Sequence, residues 1–232
     1  MSISVYIPTD GERLSKLDDI INIYNNGTLK PDEIVISAFC VVKEEHLTYL
    51  RDIHNKKYDN VKIYAGKNLG TTAENLNYAL KFTIGDLVLF HDPLKYPSVV
   101  RVEMVKQLFE TQDINVLHHP SSVSEGFADR TFSLEHMDII RSDEIYRRYF
   151  PLRGVKNSWI CCRNYGQEFS IIADMSSICT TREMLTNIKW KERHECEYYR
   201  GNSEGFGYEF SMEILYTYNK SLIIGSPLTV IK

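Results

Sequence analysis

Asp92 closes a short run, Asp86 to His91 (DLVLFH), and is followed at once by Pro93. Leu87, Val88, Leu89 and Phe90 read as a buried strand of a parallel sheet, because helices cover both faces of such a strand and no polar alternation is needed. Proline has no N–H to give to a ladder, so the strand has to stop there. A carboxylate is thereby delivered at the C-terminal end of a central strand, the edge at which open α/β sheets bind ligands. A carboxylate so placed suits a divalent ion or a ribose hydroxyl, and it also suits a plain strand terminator before proline. His91, one residue earlier, is either a ligand or a packed, hydrogen-bonded ring at a strand end. Upstream, Lys67, Asn68 and Gly70 make a polar turn ahead of a helix N-terminus. That arrangement fits an anion or the polar edge of a base, and equally a solvated turn.

These residues need elements to hold them. Ser2 to Pro8 reads as a strand closed by Pro8, and Thr9-Asp10-Gly11 as a turn with Arg13 beyond it. Leu14, Leu17, Ile20, Ile21 and Tyr24 recur at helical spacing, and Gly27 ends that helix. A strand over Glu33 to Phe39, a helix marked by Leu47, Leu50 and Ile53, and a short strand over Val61 to Tyr64 follow. Thr71 and Glu74 have capping-box spacing, and Leu76, Ala79, Leu80 and Thr83 share a face of the helix they open. Gly85 is expected to stop that helix. Strand and helix alternate with short links, which predicts a mostly parallel central sheet flanked by helices, with right-handed crossovers.

Beyond Pro97 a helix carries Val100, Met104 and Leu108, and Asn115 to His118 reads as a strand. The pattern weakens from Pro120 to Phe150. Ser158 to Arg163 and Phe169 to Ala173 read as strands of a hairpin, and Ile178 to Thr180 as a strand running into a short helix. Tyr208 to Tyr218 reads as a helix; Leu222 to Ile224 and Val230 to Ile231 finish as strands. The expectation is one α/β domain over 1–232, with a ligand-binding half at 1–119 and a second half at 120–232.

Composition narrows the classes. The 232 residues are 43% hydrophobic and 25% charged, with a net charge of −4, which argues against a nucleic-acid or acidic-membrane surface built on bulk charge. No apolar run is long enough to span a bilayer, and the residues after Met1 read as a strand rather than a signal peptide. The five cysteines include no C-x-x-C pair, so free thiols in a reducing, cytoplasmic setting are expected. Most of the 15 tyrosines are read as packing, with a sugar- or base-stacking surface as the functional alternative.

The order of these pieces resembles the family 2 glycosyltransferases of the GT-A fold over most of the chain. IPTDGER is similar to that family's opening segment, KNLGTTAENLNYALKFTIGDLVLFHD to its central block, SSICTTREMLTNIKWKE to its later strand and helix, and YEFSMEILYTYNKSLIIGSPLTVI to its terminal region. The resemblance implies that Pro8, Thr9 and Asp10 hold the nucleotide base and that Arg13 pairs with diphosphate. It places further donor contacts at Ala38, Lys67, Asn68, Gly70, Asn75, His91 and Asp92. It implies Mn²⁺ or Mg²⁺ at Asp92, a UDP sugar as the default donor, a glycan or other hydroxyl acceptor, and inversion by a base-activated hydroxyl. Glu204, in the stretch from Gly201 to Gly207, and Glu209, near a helix start, are the choices for that base.

The chain departs from the family at four places. Pro93 and Leu94 follow Asp92, so the second acidic residue of the metal motif is missing. Ser37-Ala38-Phe39 stands where an Asp is usual, Ala73-Glu74-Asn75 replaces Ala-Arg-Asn, and Phe206-Gly207 aligns near the catalytic acidic pair. These departures motivate an alternative, a catalytically silent GT-A-like module that binds glycan or nucleotide. A sugar-1-phosphate nucleotidyltransferase ranks below both, because IPTDGERLSK carries one glycine where that class needs a glycine- and basic-rich loop.

Overall fold

Seven consecutive residues, Ile3–Thr9 (β1), are all buried, as are all of Glu33–Ala38 (β2) and Leu87–Phe90 (β4). Strands buried on both faces belong in the middle of a parallel sheet, and that is where they lie. A computed structural model describes residues 1–9, 14–38, 43–56, 58–65, 72–93, 95–119, 121–122, 139–141, 159–164, 167–172, 178–186, 188–189, 221–224 and 229–231. Val61–Ala65 (β3), Val116–His118 (β6), Ile139–Arg141 (β8), Ile178–Thr181 (β11) and Ser221–Ile224 (β12) complete an eight-stranded sheet of order β3-β2-β1-β4-β11-β6-β12-β8. β3, β2, β1 and β4 run parallel, as do β6 and β12; β11 runs antiparallel between β4 and β6, and β8 antiparallel to β12.

Helices cover both faces. Leu17–Asn25 (α1), Glu44–Asn55 (α2) and Arg101–Thr111 (α4) bury Leu17, Ile20, Ile21, Leu50, Ile53, Met104, Val105 and Leu108 against Ile3, Val5 and Ile7. Thr72–Leu80 (α3) and the short Arg182–Leu185 (α5) bury Leu76, Ala79, Leu80 and Leu185 against Tyr6, Val35, Val88 and Phe90 on the other face. Alternate residues of β1 thus feed opposite cores, as the two-residue period of a strand demands. Trp159–Asn164 (β9) and Gln167–Ile172 (β10) form the expected antiparallel hairpin. Lys95–Pro97 (β5), Ser121–Ser122 (β7) and Thr229–Ile231 (β13) form a small sheet of order β5-β13-β7. The helix expected at Tyr208 to Tyr218 lies outside the described residues. No described helix is long and apolar enough to cross a membrane.

Two local expectations change. β1 does not close at Pro8 but continues to Thr9, with Pro8 opposite Ser37 and Thr9 opposite Ala38 of β2. Leu87 N–H donates to the Ser2 carbonyl and His91 N–H to that of Tyr6, so the even-numbered backbone groups of β1 face β4. β4 pairs with β1 only as far as Tyr6, so the N–H that Pro8 lacks falls where that neighbour has ended. Nor does Gly85 stop a helix: α3 ends at Leu80, where the Thr83 hydroxyl donates to the Leu80 carbonyl at 2.8 Å. Gly85 is needed for close approach, since a Cβ there would lie 2.5 Å from the Ser4 nitrogen at the start of β1. The same end of the sheet holds buried Glu33, which accepts from the Ser4 hydroxyl, the Ile84 N–H and the Lys62 ammonium.

Candidate functional site

From β1 the chain steps outward through β2 to β3, then returns to place β4 on the other side of β1. Where a parallel sheet reverses its order in this way, the connections leave in opposite directions and a crevice opens beyond the carboxyl ends of the two strands. Here those strands are β1 and β4. β1 ends in Pro8 and Thr9, β4 leads into His91 and Asp92, and β2 ends beside them at Ala38. Pro8, Thr9, Ala38 and Asp92, distant in sequence, therefore share one edge. Thr9 and Ala38 are buried. Asp92 is half-buried, and its carbonyl accepts from Lys95 N–H at 3.0 Å in the turn that leads into β5.

His91 points the other way. It is fully buried, and its Nε2–H donates to the Lys95 carbonyl at 2.9 Å. That assigns Nδ1 as the acceptor, and it takes hydrogen bonds from Arg101 Nη1 at 2.7 Å and the Tyr24 hydroxyl at 2.9 Å. Burial, and next the Arg101 guanidinium, hold its pKa well below the ordinary histidine value, so the ring is neutral. With both nitrogens committed inside the protein, His91 has none to offer a metal or a donor. The packed reading of this residue is the one the geometry supports.

Arg101 organises what lies behind Asp92. It is fully buried at the start of α4, with Nη2 donating to the Phe90 carbonyl at 2.9 Å, Nη1 to the Tyr24 hydroxyl at 2.5 Å and Nε to His119 Nε2 at 3.1 Å. Burial pushes the Tyr24 hydroxyl up to about 12, so it remains a neutral donor. Four polar side chains, from α1, α4 and the residues just after β4 and β6, thus form one buried cluster through which Arg101 ties down the last carbonyl of β4. Sequence reasoning missed Arg101 and the role of Tyr24. The signal was present: Arg101, Met104, Val105 and Leu108 fall on one helical face, and a cation on an apolar stripe marks a buried charge.

The other expected residues are placed less fully. Asn75 lies within α3. Asp10, Arg13, Lys67, Asn68, Gly70, Glu204 and Glu209 lie outside the described residues. In sequence Asp10 follows β1 directly, and Lys67 comes two residues after the end of β3. Among the described residues no group of three or more His, Cys, Asp and Glu could hold a metal ion. Asp92 alone still fits Mg²⁺, which commonly takes one or two carboxylates and fills its shell with substrate phosphates and water.

A mostly parallel sheet between helices, with its switch point between β1 and β4, is a doubly wound α/β fold, and the solved structures that share this architecture give the chain the GT-A fold. Solved structures with the same architecture include Staphylococcus aureus TarS 1–349 in complex with UDP-GlcNAc, at 16% identity and a TM-score of 0.63 over 99% of this chain. A second is the mannosyltransferase PcManGT from Pyrobaculum calidifontis in complex with GDP-Man and Mn²⁺, at 14% identity and a TM-score of 0.56 over 98% of this chain. A mycobacterial protein matches at 11% identity with a TM-score of 0.59. The chain spans 58% of the length of the TarS fragment and 56% of PcManGT. No protein-family model and no curated protein sequence matches the chain.

Proposed function

We propose that this protein is a glycosyltransferase that moves a sugar from a nucleotide-diphosphate donor to a hydroxyl acceptor. The observation that carries this reading is the half-buried carboxylate of Asp92 at the β1/β4 switch point of a GT-A fold. Transfer from such a donor builds negative charge on the leaving diphosphate and requires a proton to leave the acceptor. Asp92 would hold Mg²⁺ or Mn²⁺, and the ion would supply the charge that stabilises the departing diphosphate. Pro8, Thr9, Asp10 and Ala38 are assigned to the nucleoside, Arg13, Lys67, Asn68 and Gly70 to the phosphates, and Asn75 to the same donor. Glu204 is the first choice for the base and Glu209 the second; a base on the far side of the sugar gives inversion. UDP is the default nucleotide, since structures of this fold hold UDP-GlcNAc as well as GDP-Man. A cytoplasmic setting belongs to the same reading and rests on the cysteine content.

The test is nucleotide release from a panel of UDP and GDP sugars, with Mn²⁺ or with chelator, alongside calorimetric binding of each nucleotide. Release that needs the ion and is lost in Asp92→Asn supports the reading. Absence of release and of nucleotide binding overturns it. Glycan binding without turnover, unchanged in Asp92→Asn, identifies the silent module instead.

A further inference from the structure

A groove of about 770 Å³ opens between α3 and the chain from Arg182 to Lys189, whose Arg182 N–H donates to the Asp86 carbonyl just before β4. That volume lies within the range of about 300–1,000 Å³ typical of small-molecule sites. One wall is a stripe of α3, Glu74, Asn77 and Tyr78, spaced i, i+3, i+4, continued by Lys81 just past the helix end. The facing wall carries Arg182 and Lys189, and buried Leu80 and Leu185 back the groove. Tyr78 is 41% exposed, unusual for a large ring among the described residues. Its orientation is set by Phe82, edge to face at 4.9 Å and 73°, and Phe82 is itself stacked on Tyr64 at 4.5 Å and 11°.

We propose that this groove binds an acidic saccharide, a sugar chain bearing carboxylate or phosphate groups, at a site separate from the Asp92 edge. A pre-oriented aromatic ring offers the apolar C–H face of a sugar a surface at little entropic cost. Asn77 and Glu74 are suited to hydroxyls, which both donate and accept. Lys81, Arg182 and Lys189 outnumber Glu74 on the lining; Asp86 answers part of the Arg182 charge from the side. The surplus is positive on a chain whose net charge is −4, so the groove selects anions against the field of the whole molecule. A nucleotide would also bring an anion and a flat ring, so UDP is one arm of the test; Glu74 and Asn77 match the many hydroxyls of a sugar chain better than the few of a nucleotide. The site does not depend on the transferase reading.

The experiment is calorimetric titration of the full chain with tetragalacturonate, mannopentaose phosphate, neutral maltopentaose and UDP. Wild type is expected to bind the carboxylate or the phosphate oligosaccharide, whichever is the source of the anion, more tightly than maltopentaose, with affinity falling as salt rises. Tyr78→Ala is expected to weaken that binding about tenfold and Tyr78→Phe to retain it. Lys81→Gln with Lys189→Gln is expected to reduce the salt dependence, Arg182 keeping the remainder. UDP affinity is expected to stay unchanged in all three variants, which separates this site from the donor site; because Tyr78 is exposed, the fold survives its replacement. Failure of both acidic oligosaccharides to bind, or binding unaffected by Tyr78→Ala, overturns the proposal. So does UDP binding that is lost with Tyr78, which would make the groove a nucleotide site.

Discussion

At the scale of single residues, two neighbours at the end of β4 have opposite fates. Asp92 stays half-exposed at the crevice, whereas His91 is buried with both nitrogens engaged. Replacing Asp92 by Asn is therefore expected to leave the melting temperature within a degree or two and to lower sugar-transfer kcat/KM on the order of a hundredfold, as loss of one charge-stabilising group does. Steady-state kinetics beside a thermal melt checks both halves. Arg101 reverses this pattern. Arg101→Met is expected to cost about 3–5 kcal/mol in urea unfolding, since it removes the one guanidinium from which the Phe90 carbonyl, the Tyr24 hydroxyl, His91 Nδ1 and His119 Nε2 all accept in the core. A loss below 1 kcal/mol would mean that the cluster does not hold the strand end.

At the scale of elements, β1 and β4 are tied where both begin. Gly85→Ala places a methyl 2.5 Å from the Ser4 nitrogen, and the backbone has to move. A destabilisation of about 1–3 kcal/mol is expected from such overpacking, measured as a lowered urea midpoint at unchanged slope. Next to it, Asp86 accepts from both the N–H and the hydroxyl of Ser2, and these bonds hold its carboxyl below the ordinary carboxylate value. A carboxyl with a depressed folded pKa binds fewer protons than the unfolded chain does in acid. Its contribution is complete above the unfolded value of 3.8 and is lost as pH falls through the lower folded value. Asp86→Asn is expected to lower stability at neutrality, where the contribution is complete, and to converge with wild type as pH falls below about 4, read by urea unfolding across pH.

At the scale of the whole molecule, a sheet whose order reverses between β1 and β4 makes a ligand site of strand ends rather than of any one segment. A nucleotide bound there contacts the folded chain only, so it has to stabilise it. UDP with Mn²⁺ is expected to raise the melting temperature progressively with concentration, reaching about 2.7 kcal/mol of added stability at a hundred times Kd. Differential scanning fluorimetry over a nucleotide series checks this, and a flat response would contradict a donor site at that edge. None of the residues lining the proposed saccharide groove is one assigned to the donor, so occupancy of the two is expected to be additive.

Much of this architecture is written in local pattern. The apolar runs at Ile3 to Ile7 and Leu87 to Phe90 are too continuous for a half-exposed strand, and the heptad-like spacing of Leu17, Ile20, Ile21 and Tyr24 admits only a helix. Those periodicities, with proline at Pro93, are enough to predict a parallel sheet and a carboxylate at its edge, because they reflect burial along one element. What they do not contain is which elements meet. That His91 faces Arg101 and Tyr24, that Gly85 yields to Ser4, and that Pro8 sits in a strand whose neighbour has already stopped are contacts between segments 10 to 81 positions apart. Such contacts arise only when the sheet order is set, and only tertiary packing sets it.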